Sequence, residues 1–408
     1  MVGETGVSII LLIVWSLAFL INRKKIYSAK IYFYILFIMS SAGVILDLNF
    51  YYYTKTYNAF VILLFAFIML LVLIPWKQFD NWMKRNIIVI NEKYIGLIKG
   101  TIILCSFLSI FTIIYCLPYA LMAHTLGALD VRQEEGLFPA SPLTTLAAAV
   151  AGLTPFGILG FFICRLDTRL YLYSFLSLLL VISGVVHSMA WMARELYVFL
   201  PITFVILYFL FKNSMSLKTI KYIKYLSIGI GFLLVIFFLE ISTSRFGEAG
   251  SDEFISGTWG YIYQQPYVFD QTFRHFDNFY AFDRRLQFLG PIFGVGDGEF
   301  DYNNSAEYSF GTMYNEFYQM FGLSSLIIAT FLYIFYFYKV SRICISRKLT
   351  FSIVVNFTLF IWFTVSGLFY FRYGITSYFL LYLFISLISL RCPSVLLYKK
   401  NNYNLTKL

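Results

Sequence analysis

Residues 61–75 read VILLFAFIMLLVLIP, a run without a single charged side chain. With its apolar flanks it reaches the ~20 residues needed to cross the ~30 Å hydrocarbon layer of a bilayer. Lipid offers the backbone no hydrogen-bond partner, so a crossing segment must bond its N–H and C=O groups internally, as a helix does. Similar runs recur along the chain, for example LYLYSFLSLLLVISGVV at 170–186. Over 408 residues the composition is 60% hydrophobic and only 13% charged, with a mean hydropathy of +0.76. That excludes a chain of ordinary soluble domains and predicts an all-α polytopic membrane protein. The expected crossings are 5–22, 31–47, 57–75, 99–118, 143–164, 170–190, 196–211, 225–241, 313–338, 351–370 and 374–390, about 11 in one integral membrane domain spanning 1–408. No internal repeat is visible, so an inverted-repeat transporter gains no support.

The net charge of +10 is distributed by side rather than along a nucleic-acid-binding stripe. With these crossings, 23 of the 31 cationic side chains fall on one face, in clusters such as Arg23-Lys24-Lys25 and Arg347-Lys348. The acids of that face are only Asp80, Glu92 and Asp167. By the positive-inside rule it is the cytoplasmic face, which puts the N-terminus outside and the C-terminus inside. The first helix reads as an N-out anchor, not a cleavable signal, because its basic cluster follows the apolar run. The five cysteines are scattered and give neither a disulfide framework nor a metal-ligand spacing.

Two outer segments stand apart, 119–142 and the long loop 242–312. Within the second, Phe269, Phe273, Phe276 and Tyr280 recur at helical spacing, with Asp270, Arg274, Asp277 and Arg284 on another face. The spacing predicts an amphipathic helix near 267–288, lying at the membrane–water boundary with rings among headgroups and ions toward water.

The outward cations are Lys55, Arg132, Arg194, Arg245, Arg274, Arg284, Arg285 and Arg372. Seven of the eight are arginine, whereas lysine dominates the other face. A guanidinium is a planar fork that binds phosphate or carboxylate through two parallel hydrogen bonds and tolerates partial desolvation. Each of these arginines has an ordinary alternative, an ion pair with a nearby acid such as Glu195, Glu240, Glu248, Asp252 or Glu253. As a set they fit a membrane-anchored anion, and Arg132, Arg194, Arg245, Arg274 and Arg372 are the candidates to hold it. A polyprenyl-diphosphate-linked sugar on the outer leaflet has that chemistry. Its diphosphate already sits on the anomeric carbon as a leaving group, so no nucleotide, metal or other cofactor is expected. Arginines would neutralise the departing charge, and one base would deprotonate the acceptor hydroxyl.

Three stretches resemble a known family, the oligosaccharide repeat-unit polymerases of the Wzy O-antigen polymerase type. They are YIYQQPYVFDQTFRHFD at 261–277, FGTMYNEFYQMFGLSSL at 310–326, and MARELY around Arg194 after the sixth expected crossing. The helix count and the long loop after the eighth crossing are similar as well. One departure stands out: relatives often carry an acid just before Phe-Gly, where this chain has Met320 before Phe321-Gly322 and its nearest acid at Glu316. The resemblance implies a bacterial inner-membrane glycosyltransferase of lipopolysaccharide biosynthesis. It would move a growing glycan from undecaprenyl diphosphate onto a second lipid-linked repeat unit at the periplasmic face. It also implies a fold like that of polytopic polyprenyl-donor glycosyltransferases of the GT-C and O-antigen ligase kinds, and a chain-length regulator as a partner.

Individual candidates follow. Imidazoles titrate near neutral pH, so His275 is the first choice for the base, with Asp277, Glu195 and Glu316 as alternatives. His187 and His124 read as helix-core residues. Trp259, Tyr263, Tyr267 and Tyr280 are expected either to stack on sugar rings or to form an interfacial aromatic belt. The stretch GVGDGEFDYNN at 294–304 reads as a solvated glycine loop, and no P-loop is present. Two rival functions remain at this level: an O-antigen ligase with a different acceptor, and a lipid-linked oligosaccharide flippase or transporter. The transporter predicts ions along a central path through the helices, whereas here they collect at one face.

Overall fold

The structure, a computed structural model, describes residues 2–45, 56–126, 141–191, 193, 195–246, 251, 257, 260, 262–275, 311–369, 377–392 and 394–400. These residues are mostly helical. Eight described helices are long and apolar enough to cross a membrane, or nine if one bent pair is counted as a single span. The protein is a multi-pass membrane protein. Its helices leave large apolar side chains uncovered in rows, such as Ile228, Phe232, Val235 and Leu239 or Ile327, Phe331 and Phe335. Lipid tolerates such rows; water does not. Where the sequence reading treats 1–408 as one domain, packing separates two compact units, each assembled from three chain segments.

The first unit comprises Met1–Asp80, Gly250–Arg342 and Phe363–Ile385. Helices α1 (Glu4–Asn22) and α2 (Ala29–Ile45) pack through Phe19 edge-on to Phe33 and through Trp15 Nε1 donating to Ser40 Oγ at 2.8 Å. The run that opened the sequence reading becomes α3 (Ala59–Leu71), started by Asn58, whose side chain accepts from the Phe60 N–H. It continues almost without interruption into α4 (Leu73–Arg85), so the span is longer than 57–75. At its far end the buried Asp80 carboxylate accepts from the amides of Tyr27, Ser28 and Ala29 and from Ser28 Oγ. A carboxylate there fills the unsatisfied amides that open α2 and matches the positive end of its dipole. Hydrogen bonds to a charged group are worth about 1.5–3 kcal/mol each, so Asp80 is an anchor for α2. At the opposite end, Val2 and Tyr57 exchange backbone hydrogen bonds of 2.9 and 2.8 Å.

The expected single crossing 313–338 is corrected to two helices, α12 (Met313–Phe321) and α13 (Leu323–Ser346). Gly322 separates them at φ 70°, a left-handed conformation that glycine adopts without a Cβ clash. Ser325 stitches the break by donating to Phe317 O and accepting from the Phe321 N–H.

The second unit comprises Asn81–Ala249, Ile343–Trp362 and Ser386–Leu408. Helix α5 (Ile95–Leu126) runs well beyond the expected 99–118 and carries Pro118 inside it. It packs on α8 (Tyr171–Ala190), helped by the small side chains of Cys116, Ala120, Ala147 and Ala190. The expected span 143–164 is two helices, α6 (Pro142–Gly152) and α7 (Thr154–Cys164), bent by 44°. Pro155 explains the break, since it has no N–H for the helix that precedes it. Helix α7 lies close against α8 because Gly184 faces Thr154; a methyl group there would overlap the threonine hydroxyl. Such small-residue contacts are how helices approach in lipid, where no hydrophobic effect drives them together.

The all-α expectation also needs a small correction. Strand β1 (Asn86–Ile90) pairs antiparallel with β2 (Leu396–Lys400), with Ile88 opposite Tyr398. These five-residue stretches lie some 300 positions apart and carry no helical period. Only the tertiary fold brings them together.

Candidate functional site

In the first unit, helix α11 (Gln265–His275) lies where five chain segments meet. It covers the first part of the interfacial helix expected near 267–288, and there its surroundings are protein. Asp270 is 0% exposed, Phe269 is buried against Phe65 of α3, and Gln265, Tyr267, Val268 and Thr272 are buried as well. The amphipathic period is real, but the apolar face seats on protein and the polar face is bonded rather than turned to water. Residues 276–288 lie outside the described residues.

Asp270 and Arg274 form the centre of the cluster. Spaced four apart on the helix, they meet in an ion pair of 2.6 Å, with Arg274 Nε also donating to Asp270 Oδ2 at 2.8 Å. Asp270 Oδ1 accepts the Asn58 N–H at 2.9 Å, and Arg274 Nη2 donates to Thr56 O at 3.1 Å. Desolvating a carboxylate costs several kcal/mol, and that is offset only when its lone pairs are engaged and its partner is close. Both conditions hold. The pair therefore locks α11 to the entrance of α3.

The rest of the helix is tied down by neutral groups. Tyr267 OH donates to Glu4 O at 3.1 Å and lies 3.4 Å from Ser8 Oγ, and its ring packs on Tyr57. Burial pushes the Tyr267 hydroxyl up to about 12, so it stays protonated at neutral pH. Gln265 Nε2 donates to Phe369 O. Thr272 Oγ1 accepts from Asn315 Nδ2 at 3.1 Å, while Asn315 Oδ1 caps α12 through Thr312. Tyr318 OH donates to Phe273 O at 3.0 Å. Helices α11 and α12 are thus clamped side by side. His275 ends α11 exposed, and Glu316 sits half-buried in the first turn of α12.

The sequence candidates divide accordingly. Arg274, His275, Glu316, Tyr263 and Tyr267 belong to this unit and this region. Tyr263 and Tyr267 are buried and packed edge-on to each other, so protein already covers the rings. Arg274 takes the ordinary alternative, the ion pair. Glu195 opens α9 (Glu195–Phe211) and Arg245 lies in the last turn of α10 (Leu217–Phe246), both in the second unit, and the Arg245 side chain falls outside the described residues. Arg132, Arg194, Arg372, Asp277, Trp259 and Tyr280 also lie outside them, as does 294–304. His187 is inside α8 as expected. Among the described residues no cluster of three His, Cys, Asp or Glu side chains has metal-site geometry.

The chain matches no family model, no curated protein and no solved structure. The site's meaning therefore rests on its own chemistry. Sequence reasoning missed Asn58, Thr56, Thr272 and Asn315. None carries a charge or a motif, and only their meeting gives them a role.

Proposed function

We propose that this protein is a repeat-unit polymerase, a metal-independent glycosyltransferase that joins polyprenyl-diphosphate-linked oligosaccharides at the outer face of the bacterial inner membrane. The observation that carries the reading is the convergence on α11. The segments that start α1, enter α3, form the long loop, open α12 and end α14 (Thr350–Phe369) meet there, and by the expected crossings they share the side where arginine replaces lysine. The Asp270–Arg274 lock would hold α11 rigid while exposed His275 and half-buried Glu316 stand at its rim as base candidates. The remaining outer arginines, Arg132, Arg194, Arg245 and Arg372, are the ones assigned to the diphosphate.

Eleven crossings with the N-terminus outside are part of the proposal, and parity supports them. Val2 bonds Tyr57, so a chain that crosses in α1 must return, and α2 is the helix between them. Asn58 bonds Asp270, which favours an even number of crossings between them, as when the bent pair α6–α7 is one span. The β1–β2 pairing in turn favours a crossing by α15 (Ser377–Ser389).

The test is extension of a defined lipid-linked repeat unit by purified protein. His275→Ala and Glu316→Gln are compared with Arg194→Lys, Arg245→Lys and Arg372→Lys. Removal of the general base should lower kcat by about 10²–10⁴-fold. No elongation by the wild-type protein, or full activity in all five variants, overturns the assignment.

A further inference from the structure

The second unit holds a buried arginine that the proposed reaction does not use. Arg165 caps the C-terminal end of α7 and is 7% exposed. Four rings surround its guanidinium: Tyr222 at 4.7 Å, Phe175 at 4.8 Å, Tyr171 at 5.1 Å and Phe161 at 5.3 Å from their centroids. Aromatic faces attract a cation, but they accept nothing along the in-plane N–H directions. Among the described residues, buried Nε and Nη2 have no hydrogen-bond partner. These two nitrogens form the side-on edge of the fork, the edge that grips an oxyanion through two parallel bonds.

The acids nearby are already engaged. Asp167 and Glu92 both bond Arg169, at 2.7 and 2.9 Å. Lys99 lies over the Tyr173 ring. Lys218 and Lys221 flank Thr219 on the first turns of α10, where Thr219 Oγ1 pairs with Tyr171 OH at 3.1 Å. Two walls of the box are half-open: Phe175 is 45% exposed and Tyr222 39%. They come from α8 and α10 and touch edge to face at 6.4 Å, so a rotamer change of either uncovers the fork.

We propose that Arg165 is a binding site for a phosphate group, delivered by an anionic phospholipid of the leaflet facing this basic side or by free phosphate. The rings meet the cation's charge but not its N–H donors, and the buried Nε–Nη2 edge is what the oxyanion engages. The adjacent lysines match the second charge of a phosphate monoester or the surroundings of a lipid phosphodiester. Entry requires the Phe175–Tyr222 wall to part.

The test uses the full chain in a neutral detergent. Melting temperature and native mass spectra are followed while phosphatidylglycerol, diacylglycerol or inorganic phosphate is added. Wild-type protein should be stabilised by phosphatidylglycerol and not by diacylglycerol. A response to inorganic phosphate alone would assign the site to the free ion. Arg165→Met should abolish the response. Arg165→Lys, which keeps the charge and loses the fork, should weaken apparent affinity about tenfold. Arg347→Gln, an exposed cation away from the ring box, should leave it unchanged. The proposal is overturned if Arg165→Lys responds as the wild type does, or if no phosphate compound stabilises the wild-type protein.

Discussion

Two arginines, one in each unit, show two ways of keeping a guanidinium out of water. Arg274 reaches a carboxylate four residues back and a backbone carbonyl, and its Nε and Nη2 donors are bonded. Among the described residues Arg165 meets four rings and no acid, and its fork is unpaired. The first arrangement is closed and structural. The second is attractive to a cation but incomplete as a hydrogen-bonding site, and that incompleteness is what a ligand would relieve.

The comparison is broken most directly by replacing each arginine with methionine. Arg274→Met leaves Asp270 buried and uncompensated, which should destabilise the first unit by about 3–5 kcal/mol, as removal of one member of a buried pair does. Arg165→Met in lipid-free, phosphate-free detergent leaves no buried carboxylate behind, so its effect should stay within about 1 kcal/mol or be stabilising. Chemical denaturation of the two variants side by side checks the order. An equal loss in both would show that the rings serve Arg165 as fully as Asp270 serves Arg274.

A smaller effect sharpens the ring side of the comparison. Tyr222→Ala removes the nearest wall of the Arg165 box and one cation–π contact, a loss of about 0.5–2 kcal/mol. It should also make the fork more accessible, read as faster binding of phosphatidylglycerol.

The smallest effect concerns Arg169, which takes the acids Arg165 lacks. Its guanidinium holds the half-buried Asp167 carboxyl below the ordinary carboxylate value of about 3.9. A carboxyl depressed in the folded state stabilises above its unfolded pKa, and that contribution disappears as pH falls through the lowered folded value. Arg169→Ala should return the Asp167 titration to the ordinary range, as followed by carboxyl NMR, with little change in melting temperature at neutral pH.

Much of the architecture was legible along the chain. Apolar runs such as 61–75 and 170–186 force helices because lipid cannot bond a backbone. The helical period expected near 267–288 was also visible, and 265–275 is helical. Its surroundings were not, because Phe and Tyr at helical spacing suit a headgroup layer and a protein core equally well. The break at Gly322 had a local cue in Phe-Gly. The pairing of 86–90 with 396–400 had none.

For the candidate site, the residue types were readable and their partners were not. An arginine four residues after an aspartate permits an ion pair in any helix; whether it forms, and whether it is buried, depends on what arrives opposite. Sequence by itself determined that this protein is helical, membrane-spanning and asymmetric in charge, since those properties come from transfer energies summed over local segments. Only the tertiary structure decided that Asp270 is sealed beneath Asn58, that Tyr267 is packed rather than presented, and that Arg165 is boxed by rings without an acid. Those outcomes depend on contacts between segments tens or hundreds of residues apart, whose free energy exists only once the chain has brought them together.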